Sequence, residues 1–94
     1  MEYRLKLEAK EHLRHIYHYG FHLFGQVVAD HYYESLFERF ERIAENPYLY
    51  PPVDFIKAGY RRSVFGADTI YYRIIDGIVE IIAILGSQDT QTSL

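Results

Sequence analysis

Cysteine and tryptophan are both absent from this chain of 94 residues. Without cysteine there is no disulfide framework, no thiolate zinc site and no cysteine nucleophile, and a reducing cytoplasm is the expected setting. Long apolar runs are missing too. The longest, Ile81 to Leu85, is far too short to cross a bilayer, and no basic segment followed by an apolar stretch marks the start for export. No membrane partner is expected. An excess of positive charge is also lacking: the formal net charge is −3 and the isoelectric point is near 5.9. That argues against a protein whose task is to grip a nucleic-acid backbone by itself, although local basic clusters stay open. There is no phosphate-cradling glycine loop, no nucleotide fingerprint and no Ser/His/Asp arrangement that spacing supports, so no cofactor is expected.

What the chain has in surplus is tyrosine, ten residues, with six phenylalanines. Tyrosine joins apolar area to a polar tip, which suits both a small core and a surface that meets a partner. Glu2 to Leu7 alternates, with Tyr3, Leu5 and Leu7 on one side, and predicts a short strand. Two amphipathic helices follow. Ala9, Leu13, Ile16, Tyr17, Gly20, Leu23 and Phe24 share one helical arc; Ala29, Tyr32, Tyr33, Leu36, Phe37, Phe40, Ile43 and Ala44 share another. Gly25 is the expected break, and so short a connection makes the helices antiparallel neighbours. Asn46-Pro47 ends the second helix, because proline disfavours helical geometry in the residue before it. All three prolines fall in the stretch 47–59, which shows neither period and reads as an ordered surface loop.

Strands return at Tyr60. Asp76-Gly77 between apolar runs signals a two-residue hairpin, since that turn needs positive φ at both central positions. The register it sets pairs Ile75 with Ile78, Arg73 with Glu80, Tyr72 with Ile81, Tyr71 with Ile82 and Ile70 with Ala83. The earlier turn lies at Gly66 to Asp68. A two-residue loop there places Phe65, Ser63 and Arg61 on the face of Ile70; a three-residue loop places Val64, Arg62 and Tyr60 there instead. The order of elements predicts an α+β domain over 1–86: an N-terminal strand, an antiparallel helical hairpin, then a three-stranded antiparallel sheet, with a polar tail at 87–94.

This register makes both faces of the sheet apolar. Ile70, Tyr72, Ile74, Val79, Ile81, Ala83 and Leu85 suit the helical hairpin as cover. Beside Thr69, the opposite face carries Tyr71, Arg73, Ile75, Ile78, Glu80, Ile82 and Ile84, with Arg73 and Glu80 as a cross-strand ion pair. Its apolar part amounts to something on the order of 400 Å², an upper limit near 10 kcal/mol for whatever covers it. The loop 47–58 offers one cover. The reading adopted is a protein partner held by these seven residues.

The order of elements, the helix end "AENPYLYPP", the following "GYRR" and the "IYYRI" and "VEIIAIL" strands together resemble toxins of the RelE/ParE superfamily from bacterial type II toxin–antitoxin pairs. The resemblance spans nearly the full chain and implies a cognate, ParD-like antitoxin whose partly helical tail wraps the toxin's sheet and helical hairpin. RelE-like members cut messenger RNA on the ribosome, using an Arg early in the penultimate strand and an Arg and a Tyr near the C-terminus. Here the early position is Ile70, and no Lys, Arg, His or Cys follows Arg73. RNA cleavage needs groups that move protons and stabilise the charged phosphorane. The resemblance therefore implies the ParE-like branch: a non-enzymatic poison of DNA gyrase with no catalytic residues. A ribosome-dependent nuclease with a relocated set at His31, Tyr60, Arg61 or Arg62 is the alternative, and a non-toxic binding module of the same fold is another. Many relatives end the last strand with a basic "HGRRD"-like stretch where this chain has Gly86-Ser87-Gln88-Asp89.

Lys57, Arg61 and Arg62 form the best basic cluster and are the candidates for contact with the target. His15, His18 and His22 share a face of the first helix, but an exposed helix face explains them and no metal is expected. The carboxylates and arginines of "FERFER" (37–42) read as surface ion pairs.

Overall fold

The computed structural model describes residues 1–86; the expected polar tail, and all of the Gly86–Asp89 segment after Gly86, lie outside them. Six elements follow one another: β1 (Glu2–Leu5), α1 (Leu7–Phe24), α2 (Gln26–Glu45), β2 (Tyr60–Phe65), β3 (Asp68–Ile75) and β4 (Ile78–Gly86). Gly25, at φ 86°, separates the helices, and Asn46 closes the second. The first strand is shorter than its alternation suggests. It stops at Leu5, and Leu7 opens α1 with an exposed side chain.

The sheet has four strands in the order β1-β4-β3-β2. β1 runs parallel to β4, from Glu2 opposite Ile78 to Leu5 opposite Ile81, so the sheet is mixed and β1 borders the three antiparallel strands. Asp76 and Gly77 have φ of 52° and 72°, the geometry expected of the hairpin turn. The β2–β3 turn has two residues, with Phe65 opposite Asp68. This puts Phe65, Ser63 and Arg61 on the face of Ile70 and settles the earlier ambiguity.

One feature overturns part of the expected register. From Ile75–Ile78 to Tyr72–Ile81 the pairs are as predicted, but Tyr71 stands opposite Ala83 and Ile70 opposite Ile84. A bulge places Ile82 as the extra residue on β4. Beyond a bulge the alternation of faces inverts. Ile84 therefore joins the helix-side core with Ile70, Tyr72, Leu36, Phe40 and Ile43, while Ala83 and Leu85 turn to the other face.

That other face has its own cover. Val53 and Ile56, from the loop between α2 and β2, close a second core with Tyr60, Tyr71, Ile82, Ala83 and Leu85. The loop is tied down at several points. Tyr72 donates its hydroxyl hydrogen to the Pro47 carbonyl, and Arg61 donates to the carbonyls of Tyr50 (2.7 Å) and Tyr48 (3.3 Å). The Val53 amide bonds the Tyr60 carbonyl at 2.7 Å, and the Arg62 amide bonds the Pro51 carbonyl at 3.1 Å. The segments "NPYLYPP", "GYRR" and "YY" thus include the clamps that hold this loop on the sheet.

Candidate functional site

The seven residues expected to hold a partner do not form one open surface. Tyr71 is 1% exposed, Ile82 7% and Ile84 2%. Tyr71 and Ile82 are roofed by the loop, and Ile84 faces the helices because of the bulge. The physical case for a partner over this face, namely that the chain had nothing of its own to cover it, is overturned at these three positions. Arg73, Ile75 and Ile78 stay partly exposed near the Asp76-Gly77 turn.

Glu80 is a buried carboxylate on this face. Arg73 donates Nε–H to its Oε1 at 2.8 Å, as the expected pair requires, and Arg4 on β1 adds bonds to Oε2 at 3.1 and 3.2 Å. The second arginine arrives through the parallel pairing of Arg4 with Glu80, which cannot be read from the hairpin. Burial works to raise the Glu80 pKa, but the two guanidinium groups outweigh it and hold the carboxyl below its usual range.

The exposed apolar surface lies elsewhere, at the tip of the helical hairpin. Only Ala9 and Leu13 of α1 are buried, and in α2 burial is concentrated toward the C-terminal half, at Leu36, Phe40, Ile43 and Ala44. The ends that meet at Gly25 overhang the sheet. Leu23 is 55% exposed, Phe24 65%, Val27 84% and Val28 50%. Leu23 and Phe24 belong to the arc expected to face the core, so the periodicity was sound but its cover is missing in the free chain. Beside the tip lies a half-open groove of about 490 Å³, lined by Ile16, Gly20, Phe24, Val28 and Tyr32 and closed at one end by Ala67 and Asp68 of the β2–β3 turn. Tyr32 fixes that end: its hydroxyl donates to Asp68 Oδ2 at 2.7 Å, and burial first, then this bond, push its pKa well up.

Lys57, Arg61 and Arg62 gather at the outer edge of β2 as expected, but on different sides of it. Adjacent residues of a strand point to opposite faces; Arg61 shares the face of Tyr72, and Arg62 that of Tyr71. His15, His18 and His22 are exposed on α1, and among the described residues no three His, Asp or Glu side chains converge as a metal site would require.

A family model described as the ParE toxin of the type II toxin–antitoxin system parDE matches residues 3–90. The chain belongs to the ParE toxin family. It is 38% identical over 84 residues to a protein named Toxin ParE1 from Caulobacter vibrioides, covering 88% of this chain and 85% of the relative. A Toxin ParE1 from Mycobacterium tuberculosis is 30% identical over the same length, covering 88% and 86%. The fold resembles a chain from a structure titled as a chromosomal ParDE system of P. aeruginosa, with a TM-score of 0.81 at 16% identity over 92% of this chain and 95% of that one. Within this ParE-family toxin, the hairpin tip is the surface that reasoning from the sequence missed. The available signal was the run Phe21 to Val28, in which Phe21, Leu23, Phe24, Val27 and Val28 straddle the break and so cannot all face one sheet.

Proposed function

We propose that this ParE-family toxin poisons DNA gyrase by binding it, and that a cognate ParD-like antitoxin silences it by laying an amphipathic segment across the hairpin-tip groove. The observation that carries the docking is the cluster Leu23, Phe24, Val27 and Val28, exposed beside an apolar groove of about 490 Å³. Such a groove suits the apolar face of a helix, and contiguous exposed apolar surface of this kind marks interaction sites. Binding over the sheet is confined to the rim formed by Arg73, Ile75 and Ile78, since the loop occupies the middle.

Membership of the ParE branch supports gyrase over the ribosome. So does the fate of the candidate nuclease residues. His31 is exposed on α2, Tyr60 is buried under the loop, and Arg61 and Arg62 project to opposite faces of the sheet. Acid, base and phosphate-stabilising groups must converge within hydrogen-bond reach of one substrate.

Supercoiling by purified gyrase with and without the chain tests the target; inhibition with accumulated cleaved DNA is the expected result, and unchanged supercoiling without cleavage overturns it. Site-specific cuts in translated messages would favour the nuclease instead. For the antitoxin, Phe24→Asp and Val27→Asp should each weaken its binding about tenfold or more, as loss of a central apolar anchor does. Equal affinity in both variants would place the antitoxin elsewhere.

A further inference from the structure

Four cations surround the outer edge of β2, and the fold neutralises none of them. Arg61 and Arg62 lie in the strand, Lys57 in the loop before it and Arg39 on α2, and none makes an ion pair among the described residues. Each stands over an aromatic ring instead: Arg39 5.1 Å from the centre of Phe65, Lys57 5.7 Å from Tyr60, Arg61 5.1 Å from Tyr48 and Arg62 5.9 Å from Phe55. Tyr48 is 67% exposed and Phe55 79%, so much of both rings remains open to solvent. The neighbouring carboxylate, Asp54, accepts a hydrogen bond from the Gly59 amide at 2.8 Å. Other acids collect at the opposite edge of the sheet, where Glu2, Glu41 and Glu45 flank β1, and along α2 at Glu34 and Glu38. The chain as a whole is acidic, yet this edge is not.

We propose that the β2 edge is a binding surface for a single-stranded polynucleotide, whose phosphates meet Lys57, Arg61, Arg62 and Arg39 while its bases stack on Tyr48 and Phe55. The interleaving is the reason to choose this partner over an acidic peptide. A polynucleotide strand brings flat rings and negative charge in alternation, as the surface does, and base stacking on aromatic side chains tolerates any sequence. A run of carboxylates would satisfy the cations and leave both rings without a partner. The rings also hold the guanidinium planes in place, and the loop carrying Tyr48 and Phe55 is pinned by Arg61 and by the Val53 amide, so little ordering remains to be done on binding. Net charge alone pointed the other way; it averages over two edges of opposite sign. The proposal does not depend on the identity of the toxin's target.

The test is fluorescence anisotropy of the whole chain with labelled oligothymidylate and oligouridylate of about 20 nucleotides. Both should bind, with log affinity falling against log salt at a slope of about −2 to −3 between roughly 50 and 200 mM, the value for three to four phosphates on a single strand. Arg62→Gln and Lys57→Gln should each lower affinity several-fold and flatten that slope by about 0.7. Phe55→Ala should cost about tenfold. All three side chains lie at the surface, and unchanged circular dichroism and melting confirm that the variants fold. Phe24→Asp, at the hairpin tip, should leave oligonucleotide affinity as it was, which keeps this result separate from the antitoxin experiment. The proposal is overturned by absence of saturable binding at about 50 mM salt, by binding that ignores the β2-edge substitutions, or by polyglutamate competing as well as the oligonucleotide.

Discussion

Glu80 is held between Arg4 and Arg73, and this one carboxylate ties β1 to β3 across β4. Its folded pKa is lowered, so its contribution is fully present above the unfolded value near 4.5 and is lost as pH falls through the folded value. Glu80→Gln should therefore destabilise the chain at neutral pH by about 1–3 kcal/mol, with the gap between parent and variant closing below about pH 4.5. Urea unfolding at the two pH values measures it. Tyr72 works in the other direction. Burial raises its pKa to about 12, so its contribution holds below pH 10 and fades as pH climbs toward 12. Tyr72→Phe removes the bond to the Pro47 carbonyl and should cost about 1–2 kcal/mol at neutral pH, read from the urea midpoint. Arg61 has a structural duty that its residue type does not announce: two of its hydrogen bonds end on carbonyls of its own loop, and its charge is left without a carboxylate partner among the described residues.

Among the elements, the β2–β3 turn tolerates little change at Gly66. Gly66 sits at φ 56°, and a Cβ there would lie 2.8 Å from the Tyr32 hydroxyl that Asp68 already holds. Gly66→Ala should lower stability by about 1–3 kcal/mol, measured by thermal melting, and should disturb the closed end of the tip groove. The elements themselves were largely legible. Two helical arcs, the Gly25 break, the Asn46-Pro47 stop and the Asp76-Gly77 turn all carry local chemistry that states its own geometry. The bulge was not legible, because Ile81, Ile82, Ala83, Ile84 and Leu85 are apolar in succession and give no alternation from which a slip could be noticed. That slip decided which of Ile84 and Leu85 faced the helices, and with it part of the candidate site. The loop over Tyr71 was visible as an option, since Val53 and Ile56 are apolar, but a sequence does not say where a segment without periodicity folds. The hairpin tip failed for a related reason: an arc records that residues share a side, not that the sheet reaches them.

At the scale of the whole molecule, three surfaces differ in character: an apolar tip where the helices overhang, an acidic flank by β1 and α2, and a basic, aromatic edge at β2. The tip makes the unpartnered chain liable to associate. A hydrophobic dye such as ANS should fluoresce with the free toxin, and Phe24→Asp or bound antitoxin should each quench most of that signal. No change with either would mean the dye reports another surface. The spatial separation of tip and β2 edge lets the two be probed by independent substitutions, which the single sheet face imagined from the sequence would not have allowed.

The β2 edge has one more property. Pro51 to Val53 runs alongside the strand, taking the Arg62 amide and the Tyr60 carbonyl, and Arg39 takes the Val64 carbonyl at 3.0 Å. A sheet border with these main-chain groups already bonded offers a poor template on which a foreign segment can align, and the prolines hinder such pairing further. A partner that meets the protein here relies mainly on side chains, so its grip is tunable one residue at a time, while stacking of copies into fibrils is discouraged along this border.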